Sequence, residues 1–216
     1  MALMDSLSMK PEEIEMESFR IIDEEAGEHS WPDAEWQVVR RAIHTSADFE
    51  YANSLVFSDG AIKKAIAALR SGAGIVTDTN MALSGINNAR LAPFGCTVSC
   101  HVADADVGAL AKCEGVTRSI VAMRKAVADL HNSIFVIGNA PTALFELLRL
   151  IEAGRQPKPA LIIGLPVGFV GAEESKNALA TADHGIPFIT NIGRKGGSNV
   201  AAAVVNALAI LAAAHI

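Results

Sequence analysis

The chain is 216 residues long, half of them hydrophobic, and carries a net charge of −6. Length and apolar content suffice for a buried core without disulfide staples and exclude a disordered chain; the acidic balance excludes a general nucleic-acid coat, yet leaves room for a local cluster of Arg and Lys that holds a carboxylated small molecule. Cys96, Cys100 and Cys113 make an odd count without scaffold spacing, and residues 1–6 show no basic residue ahead of an apolar stretch, so the expected compartment is the reducing cytoplasm.

Residues 9–27 read as a helix, polar on one side, with Met9, Ile14, Met16, Phe19, Ile21 and Ile22 available to pack. Trp31-Pro32-Asp33 breaks the chain, and Asp33 is placed to cap a second helix running to about residue 53. Strands are then predicted at 74–78, 97–102, 133–137, 160–164 and 186–190. Helical patterns separate them at 61–70, near 81–88, and at 105–112, 116–130, 141–153, 173–180 and 198–213. Such alternation implies crossover connections: an α/β, three-layer doubly wound domain with a mainly parallel five-stranded sheet and a helical N-terminal extension. The whole of 1–216 is expected to be one domain, with the extension over 1–55 and the core over 56–216. The alanine-rich stretch at 200–216, interrupted by Asn206, sits at the lower limit for crossing a bilayer and reads as a buried C-terminal helix, so no membrane is expected.

Two apolar strands stop at glycine and pass directly into a helix, at Ile137-Gly138-Asn139-Ala140-Pro141-Thr142 and at Gly164-Leu165-Pro166-Val167-Gly168. In an open α/β sheet such elbows build a ligand site at the strand ends. Neither carries Gly-x-Gly-x-x-Gly, and no Gly-x-x-x-x-Gly-Lys-Ser/Thr is present, which disfavours a dinucleotide enzyme and a nucleotide or flavin binder. Asn139 and Thr142 flank Pro141, which suits the first turn of a helix; they either cap that turn or turn it toward a ligand carboxylate or amide. Glu173, Glu174, Ser175 and Lys176 pose the same choice against a solvated turn. Cys96 and Cys100 on one strand would lie about 13 Å apart, too far for a disulfide or a shared metal, so no metal is expected.

His44 has Arg40, Arg41, Ala47 and Asp48 three and four positions away, so one helix face would carry two guanidiniums, an imidazole and a carboxylate, against the alternative of a solvated charged face. His29, His101, His131, His184 and His215 show no comparable surroundings. Arg118 after a Gly-containing turn, and Arg194-Lys195 before Gly196-Gly197-Ser198, put cations near helix starts, where the helix dipole offers them nothing.

The segments 137–145, 164–176 and 193–198, together with Glu17-Ser18-Phe19, Arg41 to His44 and Thr117-Arg118-Ser119, resemble the precorrin-8X methylmutase family, including its cobalt-precorrin-8 form. The resemblance runs from about Ile14 to Ala209 and is loose in the alanine-rich C-terminal helix. It implies an isomerase of corrin-ring biosynthesis that moves a methyl group from ring carbon 11 to carbon 12 of a tetrapyrrole. It further implies a flavodoxin-like sheet, a homodimer and no dissociable cofactor. The family's catalytic histidine falls on His44 and its substrate-contacting serine and arginine on Ser18 and Arg41; Arg118, Asn139, Ser175 and Lys176 lie in matching motifs as further substrate contacts. A sigmatropic methyl shift needs no nucleophile or redox centre, only a proton shared with the conjugated ring, which an imidazole can supply near neutral pH. The substrate's acetate and propionate arms call for guanidiniums and ammoniums, with Arg41, Arg118, Arg194 and Lys195 as candidates. A non-catalytic corrinoid carrier is the alternative from another class.

Overall fold

The computed structural model describes residues 9–154 and 158–214; His215 lies outside the described residues. Among the described residues six strands form one sheet: β1 (Leu55–Phe57), β2 (Gly74–Thr77), β3 (Thr97–Ser99), β4 (Asn132–Ile137), β5 (Leu161–Gly164) and β6 (Phe188–Asn191), in the order β1-β6-β5-β4-β2-β3. All neighbours are parallel except β1, which runs antiparallel to β6 with Leu55 opposite Asn191. The chain leaves β2 for β3 on one side and returns to β4 on the other, so the order reverses between β2 and β4, the switch point at which an open α/β sheet builds its ligand crevice.

Alternation along the central strands feeds two separate cores. Ile75, Ile134, Val136, Leu161, Ile163 and Ile189 face one way, toward α2 (Asp33–Ser46), α4 (Ala61–Arg70) and α11 (Ser198–Ala214). Val76, Phe135, Ile137, Ile162 and Phe188 face the other, toward α8 (Arg118–Ala128), α9 (Pro141–Glu152) and α10 (Ala172–Thr181). Both faces are therefore apolar and both are covered, as a parallel sheet requires. Helix α11 is buried nearly all round because the sheet lies beneath it and α2 above it. No helix among the described residues is long and apolar enough to cross a membrane.

The N-terminal extension packs as an additional layer. Helix α1 (Pro11–Ala26) starts with Pro11 at its first position and Glu13 reaching back to the Lys10 amide at 2.8 Å, then lies on α2 through Phe19 and Ile22. Two tryptophans lock the arrangement: Trp36 Nε1 donates to Asp23 at 2.9 Å, and Trp31 Nε1 to the Ala52 carbonyl at 2.9 Å.

Three expectations are corrected here. The sheet has six strands where five were expected, because Leu55-Val56-Phe57 is a three-residue edge strand too short to show a period. The second helix does not reach residue 53: α2 ends at Ser46, and Ala47, the one described non-glycine residue at positive φ (52°), turns the chain into the short α3 (Tyr51–Ser54). Its left-handed turn is held by the Ala47 amide on the Ile43 carbonyl at 2.7 Å and by Asp48, whose carboxylate accepts the Glu50 amide at 3.0 Å. Asp33 does not cap α2 either, since it is already the first helical residue and Pro32 precedes it as the cap without a side-chain bond.

Candidate active site

The crevice between β2 and β4 is organised by a residue that sequence reasoning missed. Asp78 follows β2 directly and is 3% exposed; its carboxylate accepts the amides of Gly138 (2.9 Å), Asn139 (2.9 Å) and Ala140 (2.7 Å). Burial pushes this carboxyl above its ordinary range, while the three amides pull against it. The elbow amides ahead of α9, up to that of its N-cap Ala140, are thus taken by the chain's own carboxylate, and the exposed Asn139 side chain is what the elbow offers outward. Next to Asp78, Thr79 caps α5 (Asn80–Gly85) through the Ala82 amide at 3.1 Å and meets the Ser198 hydroxyl at 2.8 Å. Two consecutive residues therefore tie together the N-terminal ends of α5, α9 and α11. The strand expected at 74–78 takes in residue 78 as its last, and no spacing marks its carboxylate as buried or paired with the elbow sixty residues on.

His44 lies in the last turn of α2, and its exposed imidazole packs on Phe19 of α1 with centroids 5.1 Å apart. Arg40 and Arg41 stand over the same ring at 4.4 and 4.7 Å. The predicted charged stripe forms, but each flanking charge has its partner on another element. Arg40 pairs with Asp23 at 2.7 Å, Arg41 with Glu15 at 2.5 Å, and Asp48 with Lys195 at 2.5 Å. Arg41's hydrogen bond, with Arg90 and His44 adding their charge, holds the Glu15 carboxyl below its ordinary range. Together Glu15, Phe19, Gln37, Arg40, Arg41, Arg90, Ala207 and Ile210 enclose a cavity of about 230 Å³. That is below the ~300–1,000 Å³ of a typical small-molecule site, so it fits a side arm rather than a whole macrocycle. Arg90, on the short α6 (Asn88–Leu91), was not singled out from sequence because nothing in its local pattern links it to α2.

The end of α2 is fastened to the carboxyl edge of the sheet. Lys195 pairs with both Asp48 and Glu50, at 2.5 and 2.7 Å, and Tyr51 donates to the Gly196 carbonyl at 3.4 Å, its phenol pushed up to about 12 chiefly by burial. Those links bring His44, the loop before α11 and the β2/β4 crevice to one end of the molecule.

The remaining predicted residues fall into two groups. Arg118 begins α8, where Thr117 is the cap; it is exposed, lies against Gly108 and has no carboxylate partner among the described residues. Arg194 is exposed beside the Phe169 ring at 5.7 Å and meets Glu173 only at 4.0 Å. Both cations are exposed, and Arg194 has only that long contact to a carboxylate. By contrast Ser18 turns its hydroxyl back to the Ile14 carbonyl at 2.8 Å, and Ser175, fully buried, does the same to Ala172 at 3.0 Å. Lys176 is 1% exposed and holds the Asn191 side chain (3.2 Å) and the Lys195 carbonyl (2.6 Å), and burial draws its ammonium down to about 8. Both residues of α10 thus face inward, and Lys176 holds the loop at 193–197 through the Lys195 carbonyl. Of the other histidines, His184 is buried in packing, whereas His101 has a partner that was not foreseen, Asp104 at 3.0 Å.

An open, mainly parallel sheet covered by helices on both faces, with its strand order reversed between β2 and β4, places the chain in the doubly wound α/β class, whose members take small molecules at the strand ends. A family model described as precorrin-8X methylmutase matches residues 13–211, and the chain belongs to that family. It is 49% identical over 206 residues to the cobalt-precorrin-8 methylmutase of Priestia megaterium, covering 95% of this chain and 90% of that protein. Identity to the precorrin-8X methylmutase of Pseudomonas aeruginosa is 47% over 193 residues, covering 89% and 92%. Among solved structures, the precorrin-8X methyl mutase from Thermus thermophilus superposes with a TM-score of 0.85 at 42% identity, covering 94% of this chain and 98% of that one.

Proposed function

We propose that this chain is an isomerase of corrin-ring biosynthesis, a methylmutase that carries a methyl group from ring carbon 11 to carbon 12 of precorrin-8X or cobalt-precorrin-8. The family match over residues 13–211 carries the activity. Support for the finer fold reading comes from the five parallel strands, whose spatial order β3-β2-β4-β5-β6 places the second strand outside the first, as in a flavodoxin-like sheet.

His44 is the proposed acid. Its exposed imidazole shares a proton with the conjugated ring, which draws electron density toward carbon 12 as the bond from methyl to carbon 11 breaks and the bond to carbon 12 forms. The group moves within one molecule, so the protein's work is to hold the ring and place the proton. Arg41 and Arg90 are proposed to take one carboxylate arm in the small cavity, displacing Glu15 from Arg41, with Ser18 at its margin. Arg118 and Asn139 meet other arms at the crevice. Lys176 contributes by holding the 193–197 loop at the Lys195 carbonyl, Ser175 lies buried beside it in α10, and Arg194 is the exposed cation of that loop. The chain is proposed to act as one domain in the cytoplasm and as a homodimer; the exposed loop carrying Phe169 and Val170, 84% and 89% exposed, is the apolar surface that a second copy would cover.

The test is His44→Ala. The variant is expected to fold and to bind corrinoid, but to lose the conversion that is followed by visible absorbance, by roughly 100-fold or more. Near-normal turnover would remove His44 from the chemistry. Wild-type protein that takes up the pigment and leaves its spectrum at the substrate form would make the chain a carrier.

A further inference from the structure

A buried carboxylate at the first position after β2 is costly to keep. An Asn or Thr there would cap the next helix without desolvating a charge, yet Asp78 is enclosed to 3% exposure and spends its carboxylate on three successive amides of a different loop. The loop it grips is the β4–α9 elbow, where Gly138 lies so close to α11 that a Cβ would stand 2.6 Å from the Ser198 Cα, and where Asn139 is the exposed side chain between two buried neighbours. Asp78 reaches no open surface itself. What it controls is the direction in which residue 139 points, because both the Asn139 amide and those on either side of it are bonded to the carboxylate.

We propose that Asp78 is a positioning residue for the methyl shift: by clasping the amides of residues 138–140 it aims the Asn139 side chain at the macrocycle in the β2/β4 crevice. The inference rests on the reading of that crevice as the tetrapyrrole site. Asp78 touches neither the ring nor His44, and its effect passes through Asn139. One carboxylate oxygen holds Gly138, and the other is shared by Asn139 and Ala140, so an amide side chain in its place presents an NH₂ group to at least one donor and lets the elbow move. A shift on the order of 1 Å at a substrate-orienting group is enough to cost up to about 100-fold in rate.

The experiment is a double-mutant cycle on turnover of purified protein with the precorrin-8 substrate, reading kcat and KM separately for wild type, Asp78→Asn, Asn139→Ala and the double variant. The expected result is a fall of about 10- to 100-fold in kcat/KM for Asp78→Asn alone. In the Asn139→Ala background the same substitution should cost less than about twofold, because the residue it acts through is gone. A merely structural carboxylate gives equal factors in both backgrounds, and that additivity, or unimpaired turnover in Asp78→Asn, overturns the inference. If Asp78→Asn does not fold, Asp78→Glu, which keeps the charge but moves it by one methylene, is read in the same cycle; failure of both to fold also overturns it, since the carboxylate would then serve the fold and not the site. Wild-type protein inactive on the substrate would instead sink the functional reading beneath the inference.

Discussion

Lys176 is a case where burial and hydrogen bonding ask for different protonation states. Its ammonium is buried, the residue being 1% exposed, with two acceptors in reach, the Asn191 side chain and the Lys195 carbonyl. A neutral amine can still donate to both, and burial accordingly lowers the folded value to about 8, against an unfolded value near 10.4. Between these values the unfolded chain binds the extra proton, so this group makes stability rise with pH from about 8 to about 10 and adds no slope below that window. In Lys176→Met the slope should vanish: the stability gap between wild type and variant, measured by denaturant titration, should widen with pH by at most about 1.4 kcal/mol per unit. At neutral pH the variant should already be less stable by roughly 1–3 kcal/mol, because two buried acceptors lose their donor. Sequence placed Lys176 among the substrate contacts through a family motif; that its side chain points inward depends on β6 and the loop after it.

At the scale of elements, the helices and strands of the α/β core were legible where a segment is long or its punctuation strong. The helix at 61–70 coincides with α4, and Pro141 and Thr117 start α9 and α8 as their residue types suggest. Legibility failed at 47–57, where an alanine takes a left-handed turn and a three-residue strand follows, because neither residue type nor period signals either event. The meeting of elements was also out of reach. Gly138 reads as the end of a strand, but its real constraint is α11, which arrives from sixty residues downstream and leaves no room for a side chain. Gly138→Ala should therefore cost roughly 1–3 kcal/mol or more in thermal unfolding and should lower turnover as well, since the contact is with backbone and cannot relax by a rotamer change. Normal activity in a destabilised variant would show that α11 and the elbow can separate without harm to the site.

For the whole molecule, the net charge of −6 and the cationic rim of the site are reconciled by distribution. Carboxylates on α1 and in the 48–50 turn hold Arg40, Arg41 and Lys195 in place, while Arg118 and Arg194 stay available. The apolar counterpart is the loop with Phe169 and Val170, which a lone copy leaves in water. If this loop joins two copies, Phe169→Asp should shift the protein toward monomer in sedimentation equilibrium at micromolar concentration, with its secondary structure unchanged. A dimer that persists unweakened would place the interface elsewhere.

Sequence by itself determined the α/β alternation, the covered parallel sheet, the two glycine elbows and the family, because each is written in local periodicity, turn chemistry or contiguous motif. Only the tertiary structure decided that Asp78 clasps the β4–α9 elbow, that Glu15 sits on Arg41, and that Ser175 and Lys176 turn inward. The physical reason is that burial and pairing belong to residues far apart in the chain. A side chain's partner is set by which elements pack together, and no spacing along one strand or helix encodes it.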